Sequence, residues 1–229
     1  MQIILKIVAV FFVIVSCVSA QTTIYSTTTG GQWENPATWV GGSVPASSNN
    51  VVINGPVIVL NYDNKCLDLT VNPGKSLGGT FGYYGQLTVF GDLINNGFIG
   101  GGASFDVHGN ITNNGIWGSG EFRIRLWGAN QTITCSDNKP ISAQLVVMDS
   151  ICNVFLGSDF HLIVDGDDNC DFGNSELFTQ GHNFIIDEGQ FTNARISSND
   201  TLTFNNTIIS SVIINGNYYL KGTTYAFSN

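Results

Sequence analysis

The sequence predicts an all-β fold, a single right-handed parallel β-helix. Three observations carry that expectation: a composition poor in charge and in helix formers, a short repeat of fixed period, and apolar residues that alternate with polar ones inside each repeat. Charged residues make up 11% of the chain, well below the usual quarter. Helix faces need Ala, Leu, Glu, Lys and Arg. This chain instead uses β-branched residues, aromatics, Asn and 27 glycines, a strand-and-turn vocabulary.

The repeat is clearest in the middle of the chain. Leu87, Val89, Gly91 and Leu93 recur as Phe105, Val107, Gly109 and Ile111, and Asn95-Asn96-Gly97 recurs as Asn113-Asn114-Gly115, at an offset of 18 residues. A fixed short period reads as a solenoid. Leu87 and Val89 alternate with polar neighbours and so face one side of a strand. Gly91 turns the chain, Leu93 faces inward again, and Asn-Asn-Gly supplies a corner, because Asn and Gly tolerate left-handed backbone angles. One rung cannot bury its own apolar face; rungs stacked at ~4.8 Å can. Asn95 over Asn113 then forms an asparagine ladder. Further on, Leu162-Ile163-Val164, Phe184-Ile185-Ile186, Leu202-Thr203-Phe204 and Val212-Ile213-Ile214 continue the strand-like rhythm with longer rungs. No polar cap follows Phe227, so the domain is expected either to be truncated there or to pair its last rung with something.

Residues 1–20 read as a signal peptide. Lys6 precedes an apolar run, and Val18-Ser19-Ala20 fits the small-x-small cleavage pattern, leaving Gln21 as the new N-terminus. The run is shorter than the ~20 residues a membrane span needs, and no later segment resembles a span. The β-helix domain is therefore expected over 21–229, secreted or at a cell surface. A net charge of −9 repels phosphate backbones and anionic lipid, which excludes nucleic acid as a partner and disfavours polyanionic substrates unless a cation bridges.

Trp33-Glu34-Asn35-Pro36-Ala37-Thr38-Trp39, then Pro45 and Asn50-Val51-Val52-Ile53, resembles the opening of many large secreted surface proteins of Bacteroidetes-type bacteria. It is also similar to the start of G8-like β-helix domains. The following stretches, Gly55 to Leu60, Cys66 to Val71 and Gly74 to Leu77, fit the same pattern. The resemblance covers about residues 24 to 120. It implies a right-handed parallel β-helix on a cell surface or in the medium, and it implies no catalytic residues.

Candidate sites are few. Trp33 and Trp39 either cap the first rung, as large aromatics can, or stack on a sugar ring. Asp165, Asp167, Asn169, Asp171 and Glu176 stand at the first, third, fifth, seventh and twelfth places of an EF-hand-like calcium loop. Cys170, however, occupies the place of the required glycine, so a solvated turn and a calcium site both stay open, and calcium is the one cofactor in view. Four cysteines remain after the leader, and Cys135 and Cys152, one rung apart, are the first disulfide pairing to test. His108, His161 and His182 are scattered and read as surface histidines. Arg123 and Arg125 share the outer face of one strand. No nucleophile elbow, phosphate cradle or paired glycosidase carboxylates can be placed.

The expected function is that of a non-catalytic, adhesin-like or glycan-contacting β-helix whose partner is an extracellular glycan or a surface protein. Two alternatives remain: a carbohydrate-active enzyme of the polysaccharide lyase or glycosidase kind, or a fragment of one; and a structural stalk of a longer surface protein.

Overall fold

The computed structural model describes residues 21–79, 85–118, 123–137, 139–148, 152–164, 168–222 and 225–228. The leader read in residues 1–20 lies outside them. The chain is a parallel β-helix. Among the described residues every pairing between strands is parallel, and the one helical element is a single 3-10 turn, Pro36–Thr38.

Each coil runs through three faces. Face 1 stacks Thr23–Tyr25, Asn50–Ile53, Leu69–Val71, Leu93–Asn95, Ile111–Asn113, Asn130–Cys135, Asn153–Leu156 and Glu176–Phe178. Face 2 stacks Asn64–Cys66, Gly85–Val89, Ala103–Val107, Arg123–Leu126, Gln144–Val147 and Asn169–Asp171. The long strands Gln190–Ser197 and Thr207–Asn215 run across both of these faces. Face 3 is two five-stranded sheets, one from Gly31–Gln32 to Ile116–Trp117 and one from Ile141–Ser142 to Tyr219–Lys221.

Alternation decides what fills the interior. In Gly85–Val89 the pattern of burial is in, out, in, out, in, and it recurs on the neighbouring strands. Stacking then aligns like with like: Val51, Leu69, Leu93, Ile111, Ile133 and Leu156 form one buried column through face 1. Each such side chain contributes about 1.5–3 kcal/mol when taken out of water. Toward the C-terminus the filling is aromatic, with Phe160, Phe172, Phe184, Phe191 and Phe204 all buried and packed ring against ring.

The expected asparagine ladder is present. Asn95 and Asn113 are fully buried, and Asn95 Nδ2 donates to Asn113 Oδ1 at 2.8 Å. Asn95 also donates to the Ile116 carbonyl and accepts from the Gly97 N–H, so one side chain satisfies the corner in two coils. A second ladder runs outside it, where Asn114 Nδ2 donates to Asn96 Oδ1 at 2.9 Å.

Candidate contact surface on face 2

The corner from face 2 to face 1 is built the same way in successive coils. The last inward residues, Val89, Val107, Leu126 and Val147, lie in register. The next residue of each coil therefore points outward at the same register position: Phe90, His108, Trp127 and Met148. Backbone bonds continue the ladder through them, from His108 N–H to the Val89 carbonyl, Trp127 N–H to Val107 and Met148 N–H to Leu126, at 2.9–3.0 Å. Phe90 and His108 stack at 5.1 Å between ring centroids, and His108 and Trp127 at 6.3 Å, with planes within 24° and 15° of parallel. Phe90 is 44% exposed, Trp127 38% and Met148 41%. An apolar column thus stands at the surface over four coils.

The glycine after each ring has a steric cause. Asp68, Asp92 and Asn110 cap the corner, each side-chain oxygen accepting the backbone N–H one coil on: Asp92 N–H at 2.9 Å, Asn110 N–H at 2.7 Å and Thr132 N–H at 2.8 Å. A Cβ at Gly91 would sit 2.0 Å from Asp68 Oδ1, and one at Gly109 2.5 Å from Asp92 Oδ1. Only glycine leaves room for the cap. Beneath Trp127 the buried Gln131 takes over, accepting the Gly128 N–H at 2.9 Å and donating to the Val107 carbonyl at 3.0 Å. The column stands on a corner whose backbone groups are satisfied, and it is correspondingly well fixed.

Beside the column lie two further ones, polar except for Val146. The nearer holds Thr88, Asp106, Arg125 and Val146; the farther holds Gln86, Ser104, Arg123 and Gln144. Asp106 joins them, accepting from Gln86 Nε2 at 2.6 Å and from Arg125 Nε at 2.5 Å. Arg123 Nε donates to Gln144 Oε1 at 2.6 Å. The Asp106 and Arg125 side chains are only 10% and 21% exposed, so that pair is largely structural. Arg123 is exposed and is the reachable donor. With three coil steps of ~4.8 Å, the patch is about 14 Å long.

The residues singled out from the sequence fall elsewhere. Trp33 and Trp39 are 0% and 2% exposed, meet edge to face at 4.9 Å, and are tied by a bond from Trp39 Nε1 to the Trp33 carbonyl at 2.7 Å. They offer no ring face to a sugar, which corrects the stacking expectation: both indoles are buried in the core, on either side of a 3-10 turn that Asn35 caps by accepting the Ala37 N–H.

Of the calcium set, Asp165 and Asp167 lie outside the described residues. The rest do not fit a calcium loop. Asn169 and Asp171 lie in a face 2 strand, and Glu176 lies beyond a corner in a face 1 strand. Asn169 Oδ1 accepts from Thr192, Asp171 Oδ1 from Gly173 N–H and Asn193, and Glu176 Oε1 from Ser197. No group of three or more His, Cys, Asp or Glu among the described residues is placed to hold a metal ion.

Cys66, Cys135, Cys152 and Cys170 are all buried, and the Cys135–Cys152 pairing is corrected by the register. Ile133 lies opposite Leu156 and Asn130 opposite Asn153, so Cys152 aligns with Ala129. Six residues separate that position from Cys135, on the order of 20 Å along the strand.

A second polar cluster lies on face 3, where His161 Nε2 is 2.6 Å from Asp187 Oδ2 beside a groove of about 300 Å³ lined by Cys135, Ser136, Asp159 and His161. The groove lacks an activated nucleophile among the described residues. Burial pushes the Cys135 thiol up to about 12, far from a thiolate. Ser136 Oγ donates to Asn114.

The exposed column was missed in the sequence, although a signal existed. A ring precedes the corner glycine in each of three coils, as Phe90-Gly91, His108-Gly109 and Trp127-Gly128. The fold and this surface define a parallel β-helix with a repeated outward aromatic corner. In comparison with known proteins, no family model, no curated protein and no solved structure matches the chain. Among the described residues no helix is long and apolar enough to cross a membrane.

Proposed function

We propose that this chain is a non-catalytic, glycan-contacting β-helix, exported from the cell and adhesin-like, and that face 2 is its contact surface. The observation that carries the reading is the column of exposed Phe90 and Trp127 with the half-buried His108 between them, beside amide, hydroxyl and guanidinium groups. Sugars present apolar C–H faces and hydroxyl edges, and a site that joins rings to planar polar side chains addresses both. A protein partner would favour a larger and more continuous apolar area. The leader read in residues 1–20 supports export, and the resemblance of the Trp33 to Ile53 segment to surface proteins supports a place at a cell surface or in the medium.

The test is a glycan-array screen with the full chain, expressed with its leader and collected from the medium, in calcium and in chelator, with turnover assays on every glycan that binds. Binding without turnover is expected, equal in both buffers. Trp127→Ala should weaken it about fivefold to tenfold, on the order of 1 kcal/mol. Turnover of any bound polymer would replace this reading with the enzymatic one, and binding only to proteins would replace it with a protein-contact surface.

A further inference from the structure

We infer that the ligand of face 2 is a linear, extended, uncharged polysaccharide that lies parallel to the solenoid axis, one sugar residue per coil. This rests on the glycan-contacting reading above and names the class of glycan. The argument is one of matched periods. Every recognition element on the patch recurs once per coil and at the same register position: Phe90, His108 and Trp127 at the corner, and Gln86, Ser104, Arg123 and Gln144 on the far column. The coils step by ~4.8 Å along the axis, and the ring centroids of successive coils lie 5.1 and 6.3 Å apart. A ligand that used these groups together must repeat at the same interval and run the same way. An extended, equatorially 1,4-linked pyranose chain advances by close to that distance per residue. A coiled or branched glycan does not hold register over four coils, and a monosaccharide reaches only one of them.

The ends of the patch fix its length. Below Phe90 the aligned residue is Leu67, which is half-buried. Above Met148 the aligned residue is Gly173, because Val146 lies opposite Asp171. The side-chain column therefore spans four coils from Phe90 to Met148.

Charge selects the neutral members of the class. The chain carries a net charge of −9. On the patch, Arg125 is already matched by Asp106 at 2.5 Å. Arg123 engages the neutral Gln144 through Nε. A polyanion would gain the exposed Arg123 and, one coil below at the end of the patch, the exposed Lys65, against the repulsion of the whole molecule. A neutral chain uses the same guanidinium as a hydrogen-bond donor to hydroxyls.

Tryptophan fluorescence reads this site directly. Trp33, Trp39 and Trp117 are buried at 0%, 2% and 4% exposure, while Trp127 is 38% exposed. Acrylamide quenching of the native protein therefore reports mainly on Trp127. The experiment titrates the full chain with β-1,4-linked glucose and mannose oligosaccharides from one to six units, with a β-1,3-linked glucose series, and with a β-1,4-linked uronate series. Affinity should rise severalfold per unit up to four units in the neutral 1,4-linked series and then level off, with Trp127 becoming protected from acrylamide. Phe90→Ala should shorten the rise, while Phe155→Ala on the outer side of face 1 leaves it unchanged. Equal affinity for one unit and for six, or a preference for the 1,3-linked or uronate series, would overturn this inference and leave the glycan-contacting reading standing. Failure of every series to protect Trp127, in protein shown to be folded by circular dichroism, would overturn both.

Discussion

From Phe90 to Trp127 the rings at the corner of face 2 stand at the surface, above a column of Val89, Val107 and Leu126. From Phe160 to Phe204 five phenylalanines turn inward and form the core. The same dipeptide occurs in both regions: Phe90-Gly91 and Phe172-Gly173. Phe90 is 44% exposed and Phe172 is 1% exposed. The cause is parity. Phe90 follows the inward Val89, whereas Phe172 follows the outward Asp171, whose register partner is the outward Val146. A shift of one residue sends a strand's side chains to the opposite face. One region thus spends its aromatics on a surface and the other on stability, and substitutions in the two regions should separate those roles.

The largest effect is expected at Phe184, which packs against Phe160, Phe191 and Phe204. Phe184→Ala should cost about 3–5 kcal/mol, through lost burial and the cavity left behind. Trp127→Ala, at a half-open surface, should cost less than about 1 kcal/mol. Urea denaturation followed by circular dichroism measures both. A Trp127 cost equal to that of Phe184 would erase the distinction between the regions and make the exposed column a structural element.

Next come the two asparagine ladders, which compare inside with outside at one corner. Asn95→Ala leaves the Gly97 N–H and the Asn113 Oδ1 acceptor without their buried partner, a loss of about 1–3 kcal/mol. Asn96→Ala removes an exposed bond to Asn114, worth less than about 0.5 kcal/mol. Similar costs at both positions would show that the corner, and not burial, sets the value of the amide.

Much of this was legible before any coordinates. Alternation of Leu87 and Val89, the offset to Phe105 and Val107, and the Asn-Asn-Gly corners specify coils that stack, because a period-two strand with one apolar face has to find a partner for that face. Asn95 over Asn113 followed from the same offset. The contact surface was not legible, because it depends on parity at each corner. His108 reads as a lone histidine until Phe90 and Trp127 are placed above and below it. The same limit misplaced Cys135 and Cys152: the offset puts them one coil apart, but only the register shows them at opposite ends of their strands. Trp33 and Trp39 were ambiguous for a different reason, since an aromatic pair beside a proline turn serves a cap or a platform equally well until burial is known.

The smallest effect concerns those thiols. Desolvation raises the Cys66 and Cys170 thiols strongly, with the charges of Asp68 and Asp171 adding to it respectively, and raises Cys135 to about 12. A thiol whose folded value lies above its ordinary 9.0 favours the fold while it is protonated in both states. Once the pH exceeds the ordinary value, the unfolded chain ionises and the folded one does not, so stability falls as pH rises from about 9 toward 12. Denaturant midpoints taken across that window should decline less steeply in Cys170→Ala than in the parent, on top of a constant loss, already present at neutral pH, from the emptied core position. Thiol counting completes the test: denatured without reductant, residues 21–229 should expose Cys66, Cys135, Cys152 and Cys170 to the reagent, whereas a Cys135–Cys152 bond would leave only two of them reactive. Cys170 sits opposite Phe191 in the aromatic-packed region, and a flatter pH profile on its removal would show that this buried thiol carries the alkaline loss of stability.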